Sequence, residues 1–185
     1  MLEDENAVYI CPTNEQVDYY NNKAIKKFDV KDFVEFHAMY DGDITNIEVP
    51  AERNLKLCVG MRVMTIYNSN CFKNGSIGTI TKINKRSIRI QLDGAEEVII
   101  RPKEFILSNG VKYKQMGLKI AYALSSNKCQ GCTFDAINIV PGFFAPNQLY
   151  VALSRCKTLE NIHILGELKE KDLHVDKKAL KMTVA

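Results

Sequence analysis

The sequence has no apolar run long enough to cross a bilayer as a helix, and no charged–apolar–small pattern at its start. These absences argue against a membrane span and a cleaved export signal. The chain is therefore expected to be intracellular, cytoplasmic or nuclear, with no membrane partner. It also lacks any G-x-x-x-x-G-K-[ST], the loop whose backbone N–H groups cradle β- and γ-phosphates. Disulfide staples are not needed in a chain of 185 residues, and its six cysteines (11, 58, 71, 129, 132, 156) are scattered. They read as reduced thiols. Cys129-Gln130-Gly131-Cys132 forms a C-x-x-C, but no second one follows, and His163 does not share its spacing. A zinc site would need two more ligands. A metal or thiol-redox protein is thus the weakest reading, and no metal site is expected.

What is present is ordinary for a globular protein, with 46% hydrophobic and 25% charged residues. The length fits one domain, or a domain carrying a small insert. The net charge of +3 hides an asymmetry. Residues 1–52 hold four Lys and Arg against twelve Asp and Glu, and residues 53–115 hold twelve against four. Residues 116–185 hold nine against six. A basic middle between less basic flanks points to a separate module with an anionic partner. The bland alternative is a solvated lysine-rich surface. The candidates in this segment are Arg62, Lys73, Lys82, Lys85, Arg86 and Arg89.

The first segment opens with Ala7–Cys11, an apolar run of strand length, broken by Pro12-Thr13-Asn14. Thr13 and Gln16 have the spacing of a capping box, and Val17, Tyr20, Ala24, Ile25 and Phe28 recur at helical spacing. Strand, turn and helix are expected there. Phe33–Tyr40 reads as a strand, and Asp41-Gly42-Asp43 as a turn. The middle segment reads as short strands at Arg62–Tyr67, Ser76–Ile83, Ser87–Leu92 and Glu96–Arg101. The hairpin dipeptides Asn74-Gly75 and Asp93-Gly94 punctuate them. Strands so short and evenly spaced suggest a small barrel, with Asn74, Gly75 and Gly78 forming turns at positive φ.

The stretch Ile120–Arg155 carries the chemistry. Ile120–Leu124 reads as a buried parallel strand running into a polar loop, Ser125–Gly131. A second strand, Ala136–Val140, is followed by a helix at Gln148–Cys156. Leu149, Ala152, Leu153 and Cys156 give that helix an apolar face, and Tyr150, Ser154 and Arg155 fall off it. A polar loop at a strand's carboxyl end, near a helix ending in arginine, suits phosphate. Asn161–Leu165 reads as a closing strand. The tail beyond Glu167 is lysine-rich (169, 171, 177, 178, 181), a terminal helix or disordered.

These residues also carry a resemblance. AYALSSNKCQGCTFD resembles the helicase pattern A-Y-A-[LI]-T-[VI]-H-K-S-Q-G-x-T-x-D. NQLYVALSRCKTLENIHIL resembles G-Q-L-Y-V-A-L-S-R-x-x-x-L-x-x-[LI]-x-[LI]. Together they are similar to motifs V and VI of superfamily 1 DNA helicases of the RecD-like, 5′-to-3′ group. Residues 11–18 resemble the family's motif IV, T-N-x-x-V-D-x-x-N, with Asn21 or Asn22 near its last position. GMRVMTIYNSNCFKNGSIGTITKI resembles the segment that opens an SH3-like barrel inserted into the second RecA-like domain.

The resemblance implies an α/β fold: the second RecA-like P-loop NTPase domain, lacking Walker A, at 1–52 and 116–185, with an inserted SH3-like β-barrel at 53–115. It implies that Arg155 is the arginine finger, stabilising charge on the γ-phosphate, and that Gln130, Gly131 and Tyr150 approach ATP. Thr13, Asn14, Ser125, Asn127 and Lys128 would meet single-stranded DNA, with Lys85, Arg86 and Arg89 adding backbone contacts from the basic module. ATP and Mg2+ would bind only together with an N-terminal RecA-like domain of the same protein. Asn127 stands where the family has histidine, Cys129 where it has serine, and Asn147 where it has glycine. The runner-up is a stand-alone nucleic-acid-binding module.

Overall fold

The computed structural model describes residues 7–173; Lys177, Lys178 and Lys181 lie outside them. In chain order the elements are β1 (Val8–Cys11), α1 (Asn14–Ile25), β2 (Val34–His37), β3 (Met39–Tyr40), β4 (Asn54–Leu57), β5 (Arg62–Thr65), β6 (Ile77–Asn84) and β7 (Ser87–Leu92). Then follow β8 (Glu97–Ile100), β9 (Pro102–Ile106), β10 (Lys112–Met116), β11 (Leu118–Ile120), β12 (Ala123–Ser125), β13 (Ile137–Ile139), α2 (Gln148–Leu153) and β14 (Ile162–Ile164). The fold is mixed α/β. It divides at Ala24/Ile25 and at Ala121/Tyr122 into an outer unit and an inner unit. No described helix is long and apolar enough to cross a membrane.

The outer unit is built on a parallel sheet in the order β12-β1-β13-β14. Its strands are short and nearly all apolar, as strands covered on both faces must be. Ile10 and Ile137 are fully buried. The helix α1 starts where the sequence places it. Thr13 Oγ1 accepts from the Gln16 backbone N–H at 3.3 Å and donates to Gln16 Oε1 at 3.1 Å, so one orphan donor of the first turn is satisfied. Val17 and Tyr20 turn toward the sheet, and Tyr20 stacks on Tyr9 at 4.3 Å. Asn21 locks the arrangement. Its Oδ1 accepts from Tyr122 N and Ala123 N at 3.1 and 2.9 Å, and its Nδ2 donates to Ala123 O at 3.2 Å. Of Asn21 and Asn22, it is Asn21 that ties helix to strand.

The expected strand Ile120–Leu124 is two strands of opposite allegiance. β11 pairs antiparallel with β5 in the inner unit, while β12 pairs parallel with β1 in the outer one. The unit boundary falls between them.

The inner unit is all antiparallel. Its sheets run β11-β5-β6-β7-β8, β3-β10-β9 and β2-β4. Among the described residues they do not close into a barrel. Alternation puts Ile88, Ile90 and Leu92 into the core with Val63, Ile80, Ile100, Met116 and Leu118. Each such side chain contributes about 1.5–3 kcal/mol relative to exposure. Residues 25–52 belong with this unit, whereas the acidic composition grouped them with the first segment. The reason is backbone pairing: β2 pairs with β4, and β3 with β10. Gln115, only 3% exposed, reinforces it. Its Nε2 lies within 2.9–3.2 Å of the carbonyls of Phe36, Glu52 and Arg53, and its Oε1 accepts from Met116 N at 2.8 Å.

Gly75 has φ +90, as its turn requires. Asn74 does not have positive φ, and nor does Gly78. It lies inside β6, between Val63 and Leu92, so its glycine answers to packing rather than to a turn.

Candidate nucleotide and nucleic-acid site

Parallel strands put their carboxyl ends on one edge, and ligands of open α/β sheets bind there. In the outer unit the loops leaving that edge include Pro12-Thr13 after β1, 126–136 after β12 and 140–147 after β13. The first two are neighbours, since Cys11 pairs with Ser125 and Ser126 N donates to Cys11 O at 3.1 Å.

The loop after β12 is a compact turn. Ser125 O accepts from Lys128 N and Cys129 N at 2.9 and 3.1 Å, and Cys129 O accepts from Cys132 N at 3.0 Å. Asn127, Lys128, Gln130 and Gly131 are exposed on it. Gly131 has φ +81, and a Cβ there would meet nothing within 4 Å, so its backbone is open to an incoming group. Ser125 differs from expectation. It is buried within β12 rather than presented with its neighbours. Thr13 is half-buried and already engaged as the α1 cap, while Asn14 is exposed.

Cys129 stands where the resembling pattern has serine, and its thiol points inward, donating to Ser126 O at 3.0 Å. Burial pushes this thiol up to about 12 and raises Cys132 as well, although Arg155 pulls both down. Such thiols stay protonated at neutral pH and make poor nucleophiles. Among the described residues no cluster of three or more His, Cys, Asp and Glu side chains is placed to hold a metal. Ser126, 1% exposed, has an Oγ with no hydrogen-bond partner. A buried unsatisfied hydroxyl costs about 1–3 kcal/mol.

The third loop delivers α2. Asn147 has φ +63, the left-handed conformation that explains glycine at this position in the resembling pattern; asparagine is the residue best able to replace it. Gln148 Oε1 accepts from Phe144 N and Ala145 N at 3.3 and 3.2 Å, closing the loop onto the helix. Asp172 fixes the other side, accepting from Gly142 N at 3.0 Å and Lys169 N at 2.7 Å. Those backbone donors, Lys169 foremost, hold its carboxyl below the usual range. Leu149 and Ala152 are buried, and Tyr150 is 73% exposed.

Arg155 follows directly. The backbone pairs it with the end of the β12 loop: Phe134 N donates to Arg155 O at 2.8 Å, and Lys157 N to Phe134 O at 3.2 Å. Its side chain is half-buried, with Nη1 3.5 Å from Cys132 O. The outer unit thus brings Arg155 next to the loop bearing Gln130 and Gly131.

In the inner unit, Lys85 and Arg86 form the exposed two-residue turn between β6 and β7. Arg89 points outward, as alternation predicts, but lies 3.2 Å from Glu97, which also accepts from Thr81 Oγ1. Arg62 is held by Asp93 through two bonds of 2.6 and 2.8 Å. Two of the six basic candidates are therefore already paired.

No protein-family model matches the chain. It is 27% identical to an ATP-dependent DNA helicase Pif1 from Bdellovibrio bacteriovorus, over 96% of the chain and 43% of that protein. It is 30% identical to the ATP-dependent DNA helicase PIF1 of Danio rerio, over 86% of the chain and 27% of that protein. The crystal structure of a Bacteroides Pif1 helicase in complex with ADP-AlF3 and ssDNA superposes with a TM-score of 0.77 at 26% identity, covering the whole chain and 46% of that structure. The chain is homologous to the C-terminal region of ATP-dependent Pif1 DNA helicases and spans less than half the length of these relatives.

Proposed function

We propose that the chain is the C-terminal portion of an ATP-dependent DNA helicase of superfamily 1, of the RecD-like 5′-to-3′ kind, acting inside the cell. In this reading residues 1–24 and 122–185 contribute the second RecA-like domain. The unit at 25–121, which carries the basic strands, forms an inserted SH3-like module. Arg155 is the finger, with Gln130, Gly131 and Tyr150 facing ATP. Thr13, Asn14, Asn127 and Lys128 meet the backbone of single-stranded DNA, and Ser125 supports that surface from within. ATP and Mg2+ are held mainly by an N-terminal RecA-like domain of the same protein. The observation that carries the reading is the placement of Arg155 beside the Gln130-Gly131 loop, at the carboxyl edge of a parallel sheet.

Because no phosphate-cradling loop occurs in these 185 residues, the chain alone is expected to hydrolyse ATP only at background, with or without single-stranded DNA. The full-length protein is expected to show DNA-stimulated turnover. Steady-state ATPase assays decide. Turnover by the chain alone, well above background and lost in Arg155→Ala, would overturn the reading.

The basic turn gives a second test. Lys85→Glu with Arg86→Glu should remove about two phosphate contacts. That flattens the slope of log affinity against log salt by about 1.4 on single-stranded DNA, with sequence preference unchanged. Adding Arg89→Glu should change less, since Glu97 already meets that charge. Titrations of labelled DNA at several salt concentrations measure this. An unchanged slope would make the turn a solvated surface.

A further inference from the structure

The last turn of α2 cannot complete its own hydrogen bonding. Ser154 N donates to Tyr150 O at 2.9 Å, but Arg155 N donates to Ala152 O at 3.1 Å. In a continued α-helix the Arg155 N–H would go to the Val151 carbonyl. That carbonyl is left outside the ladder, and two side chains take it. Ser154 Oγ donates to it at 2.9 Å, and Arg155 Nε donates to it at 3.0 Å. Arg155 Nη2 then donates to Ser154 Oγ at 2.9 Å, closing a ring of three hydrogen bonds.

This ring fixes the plane of the guanidinium relative to the helix. It uses Nε–H and one N–H of Nη2. Nη1 leans on Cys132 O at 3.5 Å, a weak contact with the end of the β12 loop. Among the described residues no hydrogen bond takes the second N–H of either terminal nitrogen. These two uncommitted N–H groups remain as donors for phosphoryl oxygens.

We infer that Ser154 is a positioning residue for Arg155: its hydroxyl bridges Val151 O and Nη2, holding the guanidinium ready before phosphate arrives. The inference rests on the reading of Arg155 as the finger. A donor already in place needs no reorganisation when charge develops, which is where electrostatic catalysis gains most. A hydroxyl at this position donates to Val151 O and accepts from Nη2 at once. Alanine does neither, and threonine does both.

The test is DNA-saturated ATPase kinetics of the full-length protein. Ser154→Ala should lower kcat by about 10- to 100-fold, with KM for ATP and DNA affinity changed less than about two-fold. Ser154→Thr should stay close to wild type. In an Arg155→Ala background, Ser154→Ala should have no further effect, since the two act as a unit. Wild-type turnover in Ser154→Ala would overturn the inference. So would equal losses in the Ala and Thr variants, or the same loss on the Arg155→Ala background. Normal turnover in Arg155→Ala alone would instead remove the finger, and this inference with it.

Discussion

Arg155→Ala in the full-length protein is expected to depress the turnover number for ATP by about 10³-fold or more, while single-stranded DNA affinity stays within a few-fold. The size follows from the role proposed for this residue. Phosphoryl transfer spreads charge over the γ-phosphate oxygens, and a guanidinium stabilises it only if held at the right place. Arg155 is held by its own helix end, with two N–H groups uncommitted. Lysine should recover little, because an ammonium is a point charge and cannot fill the same fork. The competing role is a brace that joins the α2 end to the β12 loop. That brace is mostly backbone, through Phe134 N to Arg155 O and Lys157 N to Phe134 O, and survives the truncation. Steady-state ATPase, DNA titration and thermal melting of the same variant separate the roles. Normal turnover would take Arg155 out of the mechanism. Loss of the folding transition would make it a structural residue.

Much of the outer unit was legible because its signals are local. Val8–Cys11 is a continuous apolar run, Ile137–Ile139 is one broken only by Asn138, and the Thr13–Gln16 cap announces its helix three residues apart. Long-range partners were not legible. Asn21 gives no sign in sequence that it will bond residues 122 and 123. Nor does Gln115 announce itself as core. A polar residue on the buried face of β10 breaks the alternation, so Lys112–Met116 does not read as a strand, although the Gln115 amide finds backbone carbonyls of Phe36, Glu52 and Arg53 within reach. β4 alternates over only four residues, too few to stand out. β11 and β12 run together as one apolar stretch, and only pairing divides them. At the site, residue types at Arg155, Gln130 and Gly131 could be read. The Ser154 ring could not, because it depends on how α2 ends.

Gly78→Ala should be the most damaging small substitution in the inner unit. An ideal Cβ at Gly78 would lie 2.3 Å from Gln91 O and 2.7 Å from Ile90 Cγ2. The first is backbone of β7, which is hydrogen-bonded to β6 and β8 and cannot step aside. Ile90 is fully buried in the core. Relief requires the two strands to separate, so the cost sits at the upper end of overpacking, about 3 kcal/mol. For a unit of this size that corresponds to a loss of about 10 °C or more in the midpoint of its melting transition. Gly94→Ala is the control. Gly94 has φ +65 and nothing within 4 Å of its missing Cβ, so only backbone strain opposes alanine, about 1–2 kcal/mol. If glycine at 78 served a turn, the two variants would lose similar stability. If close strand approach demands it, Gly78→Ala loses clearly more, and Gly78→Val more still. Equal melting shifts for Gly78→Ala and Gly94→Ala would overturn the packing account and return Gly78 to the role of a turn residue.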